Sequence, residues 1–337
     1  MENLLVNKVA AVKEVRQAAE YQKKKQACIL TGLAGSSKPV FFAAADKLLG
    51  GKGSMAFITA SREEIRTYRR ELNYLYPDLP MQELYPVSLP RVQADTQSLE
   101  LQAGRAAALR FLSGEERGIV FITAEALQQK QLRPSGMSGK ALQLAVGEEH
   151  EQRNIAAALL DLGYERTEQV DALGQFCLRG DILDVYPINS SAAVRIEWFD
   201  NELDAMRSFD VDTQRSLQTL TSIKIAPLKV DESFSYDADI FEYCAADTMV
   251  VVDEPVHVFS MLEKLDKENK EHASELFNKQ ELIEQLAANG AVLVSALGHS
   301  YLQQLPSLNI PVRAVAPYNK NTNLLVEDLQ NWLTEGI

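Results

Sequence analysis

Short apolar runs rich in β-branched residues limit this chain more than any other feature: ACILTG (27–32), MAFITA (55–60), GIVFITA (118–124), TMVVVDE (248–254) and AVLVSAL (291–297). None of them alternates apolar with polar residues, so a strand built from any one is buried on both faces. Such strands belong to a parallel sheet covered by helices. The intervening segments supply those helices: SREEIRTYRRELNYLY opens with Ser61 and Glu64 at capping-box spacing, and PVHVFSMLEKLDKENKEHASELF is long, charged and periodic. The expected core is therefore α/β.

Residues 139 to 229 follow a different rule. Beyond the breaker RPSGMSGK, the runs FCLRGDILDVYP, AVRIEWFDNELDAMRSF and SIKIAPL are closely spaced and alternate, as antiparallel strands with one wet face do. At 337 residues the chain exceeds what one hydrophobic core usually supports. The expected division is an α/β domain in two parts, 1–138 and 230–318, interrupted by an inserted α+β domain, 139–229. Residues 319–337, where YNKNTN leads into the helix start LLVEDLQNWLTEGI, are too few for a domain and read as a linker or the start of the next one.

No apolar run approaches 18 residues, and the N-terminus MENLLVNKVAAVKEVRQ mixes charge signs, unlike a signal peptide. A cytoplasmic location with no membrane partner is expected. Cys28, Cys177 and Cys244 are far apart, as are His150, His257, His272 and His299, a distribution that favours free thiols over disulfides or a metal site. Residues 231 to 290 hold 15 acidic and 4 basic residues, which account for 11 of the 13 net negative charges. That segment is a poor track for a phosphate backbone and reads as a solvated helical surface.

The stretch TGLAGSSKPVFF, directly after the first apolar run, carries part of a phosphate-binding loop. An intact P-loop uses glycines for close backbone approach, a lysine on the terminal phosphates and a hydroxyl on Mg²⁺. Here Gly32, Gly35 and Lys38 remain, but Ser37 stands at the second glycine position and Pro39 at the metal-ligand position. Pro39 removes a backbone donor and is expected to hold Lys38 away from helical angles. Asp253 and Glu254 end a buried run as a Walker-B pair would. These five residues read as the remnant of a nucleotide site in a degenerate RecA-like core, without hydrolysis, catalytic residues or a bound cofactor. No second RecA-like repeat is visible.

In VRIEWFDNELDAM, period-two geometry places Val194, Ile196 and Trp198 on one face and Arg195, Glu197 and Phe199 on the other. The first set is core. The second puts an exposed aromatic beside an arginine, the composition of an interface anchor. Arg179, next to Gly180, could share that surface. The alternative reading has Phe199 covering a neighbouring loop, with Arg179 and Arg195 paired to Asp181 or Glu197.

GYERTEQVDALGQFCLRGDILDVYPINSSAAVRIEWFDNELDAMRSFDVDTQRSL closely resembles the module shared by UvrB and the Mfd family of transcription-repair coupling factors. The broken P-loop, and a LYPVSLPRVQADTQSLELQ region too short and too poor in aromatics for UvrB's DNA-clamping hairpin, point to the N-terminal UvrB-homology region of the coupling factors. That resemblance implies a UvrB-like fold and a docking function: the inserted domain binds UvrA. Arg179, Arg195 and Phe199 match the family's binding positions, and periodicity adds Glu197. It also implies that ATP and Mg²⁺ serve the motor of a full-length protein, whose later domains engage RNA polymerase and double-stranded DNA. In that protein the C-terminal domain covers the docking surface at rest. The rival readings are an ATP-dependent, UvrB-like helicase that binds damaged DNA, and a structural spacer.

Overall fold

The computed structural model of the chain describes residues 4–89, 99–134, 141–228, 236–296, 305–312, 318 and 321–335. The first half of the parallel sheet is laid down as β1 (Cys28–Thr31), β2 (Met55–Thr59), β3 (Met81–Leu84) and β4 (Ile119–Thr123). After it come β5 (Gln131–Leu132) and the inserted module, which comprises β6 (Leu142–Ala145), β7 (Glu165–Arg166), β8 (Gln175–Arg179), β9 (Ile182–Val185), β10 (Ala193–Phe199), β11 (Glu202–Phe209), β12 (Ser216–Leu220) and β13 (Ser222–Ile225). The chain then returns through β14 (Tyr236–Ala238), β15 (Met249–Asp253), β16 (Val292–Ser295) and β17 (Ser307–Asn309).

The core sheet has seven parallel strands in the order β17-β1-β16-β15-β2-β4-β3. Five of its strands, β1, β2, β4, β15 and β16, are the non-alternating runs, while β3 and β17 are short edge strands outside them; β2, β4, β15 and β16 are buried along their whole length. Successive residues serve opposite faces. Ala56, Ile58, Val120, Ile122, Val250 and Val252 pack against α5 (Leu99–Ser113), α6 (Ala124–Gln128), α8 (Pro255–Glu268) and α9 (Lys279–Ala288). Phe57, Phe121, Val251 and Val294 pack against α1 (Leu4–Ala10), α2 (Lys13–Lys23), α3 (Ser37–Leu48) and α4 (Arg62–Leu75). Two buried faces per strand explain why the sequence runs lack alternation. The expected capping box is present at α4, where the Glu64 carboxylate accepts from the backbone N–H of Ser61.

The module is a second sheet in the order β12-β11-β10-β9-β8-β7, antiparallel except for the β7–β8 pair. One face is closed by α7 (Gln152–Asp161) and by the separate β6–β13 ribbon, over a core containing Leu144, Ile155, Phe176, Ile196, Trp198 and Met206. The run SIKIAPL thus forms β13 of that ribbon and does not extend the larger sheet. The expected domain boundaries at 138–139 and 229–230 lie outside the described residues, as do residues 90–98 of the LYPVSLPRVQADTQSLELQ region. LLVEDLQNWLTE falls in α10 (Thr322–Glu335), whose Leu324, Val326, Leu329 and Leu333 are exposed. Among the described residues no helix is long and apolar enough to cross a membrane, and Cys28, Cys177 and Cys244 are free thiols.

Candidate functional site

Parallel α/β sheets hold ligands at the carboxyl ends of their strands. There the loop after β1, the acid pair after β15 and the end of β16 converge. Lys38 Nζ donates to Asp253 Oδ1 at 2.6 Å and to Glu254 Oε1 at 2.8 Å, and its side chain is only 9% exposed. Glu254 also accepts from Ser295 Oγ at 3.3 Å and from the Ala296 N–H at 3.0 Å. Its backbone is left-handed, φ 42°, at the N-cap of α8, which Pro255 then opens. Lys38 lies inside the first turn of α3, contrary to the expectation that Pro39 would hold it away from helical angles. The first-turn N–H groups have no intrahelical acceptor, so Pro39 removes no helix hydrogen bond there.

The electrostatics follow from this geometry. Burial opposes the charge on Lys38, but Asp253 and Glu254 outweigh it and its pKa is raised. Burial likewise opposes ionisation of Glu254, and the bond from Lys38 prevails, holding its pKa below the usual value. Tyr68, buried and hydrogen-bonded to Asp253, is pushed up. The loop itself is closed by its own chain. Gly32 has φ 86°, and a Cβ there would lie 2.7 Å from the Ile310 carbonyl oxygen and 2.8 Å from Asn309 Oδ1. The close backbone approach that glycine permits is thus taken up by the segment after β17. Ser37 Oγ turns back onto the loop, accepting from the Ala34 N–H and donating to the Ala34 carbonyl. Gly35, with φ 52°, faces open space.

On the module, β10 presents Val194, Ile196 and Trp198 to the core and Arg195, Glu197 and Phe199 to the opposite face. Trp198 is fastened by its Nε1–H, which donates to the His150 carbonyl at 2.9 Å. Phe199 is 72% exposed, so it does not cover a neighbouring loop. The register sets Arg195 opposite Asp184 of β9 and Arg207 of β11, and it sets Glu197 opposite Ile182 and Ala205. Arg179 pairs across from Ile182. All of these side chains share one face.

Asp184, 2% exposed, is what the sequence reading missed. Arg195 donates to it in bidentate fashion, Nε to Oδ1 at 2.6 Å and Nη2 to Oδ2 at 2.8 Å, while Arg179 Nη2 reaches Oδ2 at 3.5 Å. Arg207 pairs with Glu197. Asp181 takes neither arginine and accepts from Gln152 Nε2 at 3.2 Å. The registers of β8, β9 and β10 decide these partners. The alternation of DILDV, with Ile182 and Asp184 on one face, was the signal that could have found Asp184. Among the described residues no cluster of His, Cys, Asp or Glu has the makings of a metal site.

A degenerate P-loop-type α/β core beside an antiparallel module with an aromatic–arginine face defines a UvrB-like arrangement. Residues 142–230 match the family model of the UvrB interaction domain. The chain is similar to the transcription-repair-coupling factors of Bacillus subtilis (strain 168), 36% identical over 203 residues, and Staphylococcus haemolyticus (strain JCSC1435), 32% identical over 202. It is also 28% identical over 165 residues to the factor of Escherichia coli (strain K12). These matches cover 60%, 59% and 49% of this chain but only 17%, 17% and 14% of the relatives.

Proposed function

We propose that this chain is a UvrB-like docking module that brings UvrA to a stalled RNA polymerase in transcription-coupled nucleotide excision repair. The observation that carries the reading is Phe199, 72% exposed on the outward face of the module's sheet, a face that also bears the exposed Arg179, within the segment that matches the UvrB interaction domain. An exposed aromatic contributes nothing to the fold and supplies what an interface needs: a rigid apolar anchor for a pocket with a cation beside it for a carboxylate. Engagement of RNA polymerase and of double-stranded DNA belongs, in this reading, to other parts of a longer protein.

The core domain serves as a scaffold and not as an engine. Lys38 is neutralised by Asp253 and Glu254, Pro39 stands where a Mg²⁺ ligand is required, and Gly32 is packed against Ile310. The chain therefore works without ATP or Mg²⁺, and those cofactors act in the motor of the longer protein.

The test is a direct binding measurement between purified UvrA and this chain, with Arg179→Ala and Phe199→Ala variants, alongside calorimetric titration with ATP and Mg²⁺. Binding by the parent and its loss in both variants, with no nucleotide signal, is the expected result. Equal binding by parent and variants would overturn the docking assignment. Saturable ATP binding with turnover would return the chain to the UvrB-like helicase class.

A further inference from the structure

Asp184 shows almost nothing to solvent, yet the docking face is organised around it. Its carboxylate receives both Nε and Nη2 of Arg195 and the more distant Nη2 of Arg179. Arg195 Nη2 also donates to Gln214 Oε1 at 3.0 Å, and the guanidinium carbon lies 4.5 Å from the centre of the Phe209 ring. The Arg195 side chain is 18% exposed, whereas that of Arg179 is 58% exposed. Two arginines of one face thus have different occupations. Arg195 has its hydrogen-bonding edge filled from within the chain, and Arg179 is held by one long contact with most of its surface in water.

We infer that Asp184 is the positioning residue of the docking face: it holds Arg195 as an internal strut and turns Arg179 outward as the cation a partner meets. This rests on the reading that the face docks UvrA, and it changes the list of residues that touch the partner. Ile182, 38% exposed, lies across from both Arg179 and Glu197 in register and extends the apolar surface of Phe199. Arg207, which rides on Glu197, sits on the flank. The contact set is then Phe199, Ile182, Arg179 and the Glu197–Arg207 pair, with Arg195 beneath it. Arg179, Arg195 and Arg207 are matched on this face by Asp184, Glu197 and, opposite Phe199, Glu202, so the cation it offers is Arg179, held by one long contact and 58% exposed. The partner surface that fits is an apolar socket rimmed by a carboxylate. Because Arg195 is already locked, the face binds without spending the rotamer entropy that a loose arginine would lose.

Two readouts test the inference: UvrA affinity, and solvent exchange of the arginine Nε–H protons followed by NMR in the free chain. Asp184→Asn keeps the side chain's shape but weakens its hold on Arg195. The expectation is about a tenfold loss of UvrA affinity, with faster exchange of the Arg195 Nε–H. Ile182→Ser and Arg207→Gln are each expected to lose about threefold or more while melting as the parent does. Should Asp184→Asn fail to fold, Arg195→Lys carries the same test, since an ammonium keeps the charge but cannot make the paired bonds. It too is expected to bind about tenfold more weakly. Undiminished affinity in Asp184→Asn or Arg195→Lys, or an Arg195 Nε–H that exchanges as freely as that of Arg179 in the parent, overturns the role of Asp184 and leaves the docking reading standing. A parent chain that does not bind UvrA overturns the docking reading itself.

Discussion

Lys38 Nζ sits 2.6 Å from Asp253 Oδ1, a bond that joins the first turn of α3 to the end of β15 across the intervening strand β16. In a nucleotide-binding core these are the residues that would hold phosphate and metal-bound water. Here they hold each other.

Lys38→Met is therefore expected to be strongly destabilising although it removes no catalytic group. It leaves Asp253 and Glu254 without their counter-charge in a site where Asp253 is 6% exposed. Breaking a buried pair by deleting one partner typically costs about 3 kcal/mol or more. Chemical denaturation of parent and variant measures the difference; near-equal stability would show that the bond contributes nothing.

The same cluster sets a pH dependence with two edges. Glu254 has its folded pKa depressed below the ordinary 4.5, so its contribution is present above that value and is lost as pH falls through the folded pKa. Lys38 has its folded pKa raised above 10.5, so its contribution is intact below 10.5 and fades as pH climbs through the folded value. Melting temperatures across pH should show the gap between parent and Lys38→Met narrowing below about pH 4.5. A gap independent of pH would sink this account.

Gly32→Ala should destabilise the core through the backbone alone. The residue has φ 86°, and the new methyl group would meet the Ile310 carbonyl oxygen at 2.7 Å. Left-handed strain of this kind costs about 1–3 kcal/mol before any steric displacement is added. Thermal melting is the check, and Gly35→Ala, where nothing lies within 4 Å of the added atom, is the control expected to show the strain without the clash.

Phe199→Ala is expected to leave stability within about 0.5 kcal/mol of the parent, as surface substitutions do, while costing about 2 kcal/mol or more in UvrA binding, near a 30-fold loss. The separation of the two effects is the point of the measurement. Calorimetric binding together with a melting curve reads both, and a variant that loses stability in step with affinity would place Phe199 in the fold and not at an interface.

Much of this architecture was legible before any coordinates. Continuous apolar runs such as MAFITA and TMVVVDE announced strands buried on both sides, and the alternation of VRIEWF assigned each side chain of β10 to its face. Other features were not legible, because they depend on which strands become neighbours. Asp181 and Glu197 stood as candidate partners for the arginines, and the β9–β10 register gave Arg195 to Asp184 instead. Pro39 was expected to displace Lys38 from helical geometry, yet the helix begins early enough to absorb both.

Hydrophobic period and missing chemistry are local properties, and the order of residues was sufficient to establish them: a doubly covered sheet, a half-wet module, and a phosphate loop without its metal ligand. Charge pairing is not local. Lys38 meets Asp253 across 215 positions of chain, and Asp184 becomes the buried counter-ion of Arg195 only when two antiparallel strands settle in one register. Coulomb and hydrogen-bond energies depend on distances in space, and only the folded chain sets those distances.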